Sequence, residues 1–155
     1  MSAALRTVEF LCLGIWIGGI CLLSFVVAPG AFGILGSRDM AGLMVGFTLG
    51  RVHLIGIGAG VIYIVAHFLH ASGSPTLARI AVAAVILMLL LTICSQVLVM
   101  PRLADLRQQM GSVDRTAADN PLRVSFDRLH QISVWLESAV LLLGLAAVYL
   151  TVRSS

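Results

Sequence analysis

Four long apolar stretches dominate this chain, at about residues 5–28, 51–69, 77–100 and 129–152. Each approaches the roughly 20 residues that cross a hydrocarbon core as α-helix. A backbone in lipid has to satisfy its own hydrogen bonds, which leaves helices or a closed barrel as spanning structures. Barrel strands alternate apolar and polar residues, and these stretches do not. Only 11% of the residues are charged, against about 25% in an ordinary soluble domain, and the mean hydropathy is +1.04. The expected fold is therefore all-α: an integral membrane four-helix bundle forming one domain over residues 1–155.

The first stretch has Arg6 near its start and small residues near its end, as a signal peptide does. Its apolar run exceeds the usual 7–15 residues, roughly, and it carries Glu9, Trp16 and the Gly18-Gly19 pair. It is read as a helix of the mature protein. All ten basic residues are arginines. Arg38, Arg51, Arg102, Arg107, Arg115, Arg123 and Arg128 fall in or beside the first and third connections, whereas only Arg6, Arg79 and Arg153 fall on the other side. The positive-inside rule then places loops 29–50 and 101–128 in the cytoplasm and both termini outside. A bacterial inner membrane is the expected location. The net charge of +3 lies beside membrane boundaries, so lipid is the expected partner, and nucleic acid is not. A homo-oligomer is the expectation only if four helices are to form a channel.

The chain reads as two copies of a helix pair. FVVAPGAFGIL ends the first stretch and VLVMPRLADLR the third, aligning Pro29 with Pro101. Each is followed by a loop and an Arg-x-His: Arg51 and His53 in the first half, Arg128 and His130 in the second. Two parallel helical-hairpin repeats would be related by a pseudo-twofold axis along the membrane normal, with His53 and His130 at equal depth.

Two inward imidazoles at equal depth can ligate a haem iron axially, or supply two ligands to a transition metal. Haem b is the expected cofactor, copper or zinc the alternative, and interfacial packing with no cofactor the third reading. Gly56 and Gly60 share the His53 face; they either make room for a flat cofactor or let another helix approach closely. Glu137 lies two turns beyond His130 on the same face, and a carboxylate at that depth has to be paired, protonated or wetted. It can relay protons, bind a cation or lock helices together. Glu9 and His67 fall at similar depth near the outer face, where they can pair or accept a metal, with His70 one turn further. Gln96 is placed to orient a central histidine. Trp16 and Trp135 are expected to pack inside the bundle, and Asp127 to cap the fourth helix. Cys12, Cys21 and Cys94 form no CxxC and read as small buried hydrophobes, a soft-metal role for Cys12 or Cys94 being the alternative. PRLADLRQQM continues the third helix beyond the membrane, and GSVDRTAADNP reads as a turn.

WIGG (residues 16–19), VVAPGAF (26–32) and FDRLHQIS (126–133) resemble the DUF4149 family, over nearly the whole chain. That family is similar to the eukaryotic transmembrane protein 205 group. The WIGG helix and central histidines also look like parts of the copper-resistance D domain and of HemJ-type haem membrane proteins. The related eukaryotic proteins carry asparagine near the position of Glu137, so the resemblance implies no shared role for that carboxylate. Three functions stay open: a haem- or metal-binding protein, redox-active through His53 and His130; a permeation protein for a small solute or metal ion; and a structural or assembly protein.

Overall fold

The computed structural model describes residues 2–70 and 75–154. Its helices are α1 (Ser2–Leu22), α2 (Ala28–Ile34), α3 (Arg38–His70), α4 (Pro75–Cys94), α5 (Met100–Met110) and α6 (Pro121–Arg153). Five-residue π turns, Leu23–Val27 and Ser95–Val99, join α1 to α2 and α4 to α5 without breaking the helical path. Four helical rods long and apolar enough to cross a membrane result. α1 packs along α3 and α4 along α6, while contacts of α3 with α4 and of α1 with α6 close the ring. The termini lie at one end of the bundle, and the connections after α2 and α5 at the other, called here the loop side.

Each π turn stands just before a proline, Pro29 or Pro101. A proline ring collides with the carbonyl four residues back and offers no N–H. Widening the turn by one residue relieves the clash and keeps the helix running. The wide bonds run from the Ala28 N–H to the Leu23 carbonyl and from the Met100 N–H to the Ser95 carbonyl.

On each long helix one set of inward residues recurs at alternating three- and four-residue steps. They are Glu9, Leu13, Trp16, Ile20 and Leu23 on α1 and the π turn after it, and Leu49, His53, Gly56, Gly60 and Tyr63 on α3. On α4 and its π turn they are Ala81, Val85, Met88, Thr92, Ser95 and Val99; on α6, Ser133, Val140, Gly144, Ala147 and Thr151, with Glu137 at the intervening step. This 3.5-residue repeat makes one straight inward seam per helix. The opposite faces carry large exposed apolar side chains, among them Phe25, Phe47, Phe68 and Leu142, as lipid contact requires. The helices also outrun the apolar stretches: α3 and α6 each have 33 residues, about 50 Å, against roughly 30 Å of hydrocarbon. Hydropathy marks the oily part of a helix and misses its wetted ends.

Lipid tails are as apolar as the helix faces, so association depends on close contact. Gly56 and Gly60 provide it: a Cβ on either would run into the Trp16 indole, and one on Gly60 would also reach Leu89. The space expected for a flat cofactor is filled by Trp16. Trp135, expected inside, is instead 71% exposed, because it lies on the face of α6 opposite the seam.

The loop side is cross-braced. The Asp114 carboxylate accepts from the Ser37 hydroxyl and from the backbone N–H groups of Arg38 and Asp39, capping α3 from another loop. Asp39 in turn accepts from the Ser112 hydroxyl at 2.6 Å and the Val113 N–H at 2.8 Å. Gly111, at φ +70°, ends α5 with its N–H on the Arg107 and Gln108 carbonyls. Asn120 caps α6 through the Leu122 N–H, followed by Pro121. Asp127, expected as that cap, lies inside the helix and pairs with Arg123 one turn back.

Gly60→Leu should lower stability by about 1–3 kcal/mol through overpacking against Trp16 and Leu89. Gly58→Leu, whose Cβ meets open space, should not. Thermal unfolding of both variants in detergent checks this.

Candidate functional site

Lipid cannot bond a polar side chain, so each polar residue on a seam has to find its partner in the bundle. Two layers form. The loop-side layer centres on His53, which is 1% exposed. Its Nδ1 lies 2.8 Å from Gln96 Oε1, and its Nε2 lies 2.5 Å from Glu137 Oε1. The side chain of Glu137 is 14% exposed. α3 supplies the imidazole, the π turn after α4 the amide, and α6 the carboxylate.

The amide sets the tautomer. An amide oxygen only accepts, so His53 Nδ1 carries a hydrogen and donates it. Nε2 of neutral His53 is then an acceptor facing a carboxyl oxygen, and a contact of 2.5 Å between them requires a proton in between. Glu137 as an acid with neutral His53, or a carboxylate with imidazolium, describe the same proton and the same net charge of zero. Removing that proton leaves a lone pair against a carboxylate.

The second layer lies toward the termini, roughly 15–20 Å away along α3. His67 Nδ1 lies 2.9 Å from Glu9 Oε1, the pairing their common depth leads one to expect. The Tyr63 ring stacks on His67 with centroids 6.3 Å apart. Thr151 uses its hydroxyl hydrogen on the Ala147 carbonyl, so Tyr63 donates to Thr151 Oγ1, at 2.8 Å. Tyr63 and Thr151 escaped the sequence reading, although the seam spacing marks both. Between the layers the seams are apolar: Leu13, Trp16, Val85, Met88 and Val140 pack in one buried cluster.

His130 does not join His53. It is exposed, with its ring parallel to that of Phe126 at 6.4 Å. Glu137, which meets His53, is two helical turns further along α6, so His130 lies about 10 Å toward the loop side of that level. The equal depth expected from aligning the two Arg-x-His segments fails by that distance. Arg51 and Arg128 are exposed, Arg51 resting on the Phe47 ring with its guanidinium carbon 5.1 Å from the centroid. Among the described residues no three His, Cys, Asp or Glu side chains gather as a metal-holding group. Either nitrogen of His53 would have to leave its present partner to ligate haem iron, copper or zinc. Cys12 is buried in the apolar cluster, while Cys21 and Cys94 are half-buried. The side chain of His70 falls outside the described residues.

Residues 11–112 match the family described as Domain of unknown function (DUF4149), and the chain belongs to that family. No curated protein and no solved structure matches the chain. The likenesses to the transmembrane protein 205 group, the copper-resistance D domain and the HemJ type gain no support from these comparisons.

His53→Ala should cost about 3–5 kcal/mol, because it leaves the part-buried Glu137 carboxyl and Gln96 amide without their shared partner. Glu137→Gln should stay within about 1 kcal/mol of the parent, since its amide N–H can donate to His53 Nε2. Unfolding midpoints in the same detergent distinguish the two.

Proposed function

Family membership prescribes no activity, and we propose, from the site, that this protein is a proton-linked permeation protein of the membrane. The observation that carries the reading is the contact of His53 Nε2 with Glu137 Oε1, buried between helices and dependent on one proton. While the proton is held, the layer is neutral and α3 is tied to α6. When it leaves, the layer gains a negative charge and the tie becomes repulsive, which favours opening toward water. An intramembrane group whose contact depends on its proton can couple proton movement to the passage of a small polar solute or cation. The Glu9–His67–Tyr63 layer offers a second station near the other face, and the Trp16 cluster keeps the two apart. The arginine distribution favours the loop side as cytoplasmic.

The paired-hairpin arrangement belongs with this reading. Gly60 faces Trp16 of its own hairpin and Leu89 of the other; Gly144 faces Met88 of its own hairpin and Ile17 of the other. The spacing that relates Pro29 to Pro101 also relates Trp16 to Met88, Ile17 to Leu89, and the first π turn to the second. The spacing that relates Gly60 to Gly144 carries His53 onto Glu137, not onto His130. These correspondences support two hairpins about an axis through the bundle, with His53 and Glu137 as counterparts meeting across it.

The test is proton flux into vesicles holding a trapped pH dye, driven by a potassium diffusion potential. The parent protein should acidify them at least about tenfold faster than protein-free vesicles, and Glu137→Gln, folded but without an exchangeable carboxyl proton, should fall to the empty-vesicle rate. Equal rates for the parent and for empty vesicles would overturn the proposal in favour of a purely structural role.

A further inference from the structure

An open groove of about 400 Å³ runs between α5 and α6 on the loop side. α5 lines it with Arg102, Leu106 and Gln109, which share one helix face; α6 lines it with Ser125, Arg128 and Ile132. Leu106 also packs in the apolar cluster of Val113 and Phe126, so the groove is backed by fixed side chains. Two guanidinium groups thus reach one groove from two helices, and among the described residues no carboxylate lines it.

The protein leaves both charges unanswered. Arg123 is held by Asp127 and the Val113 carbonyl, and Arg107 lies over the Phe126 ring, 5.5 Å from its centroid. Arg102 and Arg128 have no ion pair or hydrogen bond among the described residues. Like charges sharing a groove repel, and an anion between them turns that repulsion into attraction. The helix pair itself does not require them: at the same spacing from Pro29 and from Gly60, the first half of the chain has Gly30 and Met44.

Depth tells which anion fits. Arg102 stands just after the apolar stretch that ends near residue 100, and Arg128 just before the one that begins near residue 129. Both fall at the border of hydrocarbon and water, where lipid phosphates lie. Toward the span, exposed apolar side chains follow: Leu98 one turn from Arg102, and Ile132 and Trp135 one and two turns from Arg128. Charge at the border above apolar surface complements an anionic head with acyl tails, whereas a free phosphate would use the arginines alone. Ser125 gives its hydroxyl hydrogen to the Pro121 carbonyl, which leaves its oxygen to accept, and the Gln109 amide both donates and accepts. Those groups suit a head carrying hydroxyls. An ammonium head would meet two guanidinium groups and no carboxylate.

We infer that the groove between α5 and α6 binds one anionic phospholipid with a hydroxyl-bearing head, of the phosphatidylglycerol class. Arg102 and Arg128 take its phosphodiester, Gln109 and Ser125 its head, and the lipid-facing side chains below them its tails.

The experiment is native mass spectrometry of the full chain released from a neutral detergent, with phosphatidylglycerol or phosphatidylcholine of the same acyl chains added. One phosphatidylglycerol per chain should be retained at concentrations where phosphatidylcholine is not. An Arg102→Gln, Arg128→Gln variant should bind it about thirtyfold more weakly, the loss expected for two border arginines. An Arg38→Gln, Arg115→Gln variant, of the same net charge but altered outside the groove, should bind like the parent. Both variants change exposed side chains and should unfold with the parent in lipid-free detergent. Glycerol phosphate at the same concentration should not displace the lipid. Equal retention of the two lipids would overturn the inference, and so would equal losses in the two variants, which would mean diffuse attraction by net charge. Displacement by glycerol phosphate would also overturn it, in favour of a soluble anion. The lipid and glycerol phosphate comparisons use the parent protein and stand whichever way the variants fold.

Discussion

A polar side chain inside hydrocarbon can bond only to its own protein, and the organisation of this bundle follows from that restriction. The seams could have been filled with leucine and alanine. Instead His53, Gln96 and Glu137 meet at one level and Glu9, His67, Tyr63 and Thr151 at another, each group drawn from different helices. Because the partners come from different rods, satisfying them fixes which helices are neighbours and at what height. Apolar packing alone fixes neither, since one oily face fits another with little preference. The glycines complete the arrangement by letting Trp16 fit against α3 where no polar bond holds the rods together.

The two ends of the His53 contact differ in a way that matters for the proposed activity. Gln96 serves as a fixed acceptor, indifferent to pH, and holds the ring in one orientation. In that proposal Glu137 is the exchangeable partner. A histidine held on one side and switched on the other has one direction in which to respond. Among the described residues, Thr92 Oγ1, Ser95 Oγ and Glu137 Oε2 are the buried side-chain oxygens without a hydrogen-bond partner.

The four spans could be read directly from the sequence, because a run of about twenty apolar residues is the length of helix that a bilayer accommodates. So could the interior positions of Trp16 and Glu137, the Glu9–His67 pairing and the orienting role of Gln96, each from depth along a straight helix. The failures share one cause, reliance on local motifs where the inward seam decides. Arg-x-His recurs at Arg51 and Arg128, yet the second copy sits two turns nearer its loop, so His130 is exposed while Glu137 meets His53. Trp135 belongs to the same apolar stretch as Glu137 but falls two residues away, on the opposite side of the helix. Asp127 precedes the oily run, but Asn120 followed by Pro121 starts the helix earlier and caps it there. Counting three- and four-residue steps outward from Gly144 recovers the positions of Glu137 and Ser133 and excludes Trp135. Thr92 and Ser95 would have emerged from the same count along α4.

The bonds between Asp39, Asp114, Ser37 and Ser112 gather at the loop side, where Arg123 also donates to the Val113 carbonyl at 2.5 Å. At the terminal end the described cross-helix polar contacts are the paired side chains of one layer. Any splaying of the two hairpins at that end would therefore fall on the Tyr63–Thr151 bond, which crosses from one hairpin to the other, and not on Glu9 and His67, which share one and would travel together.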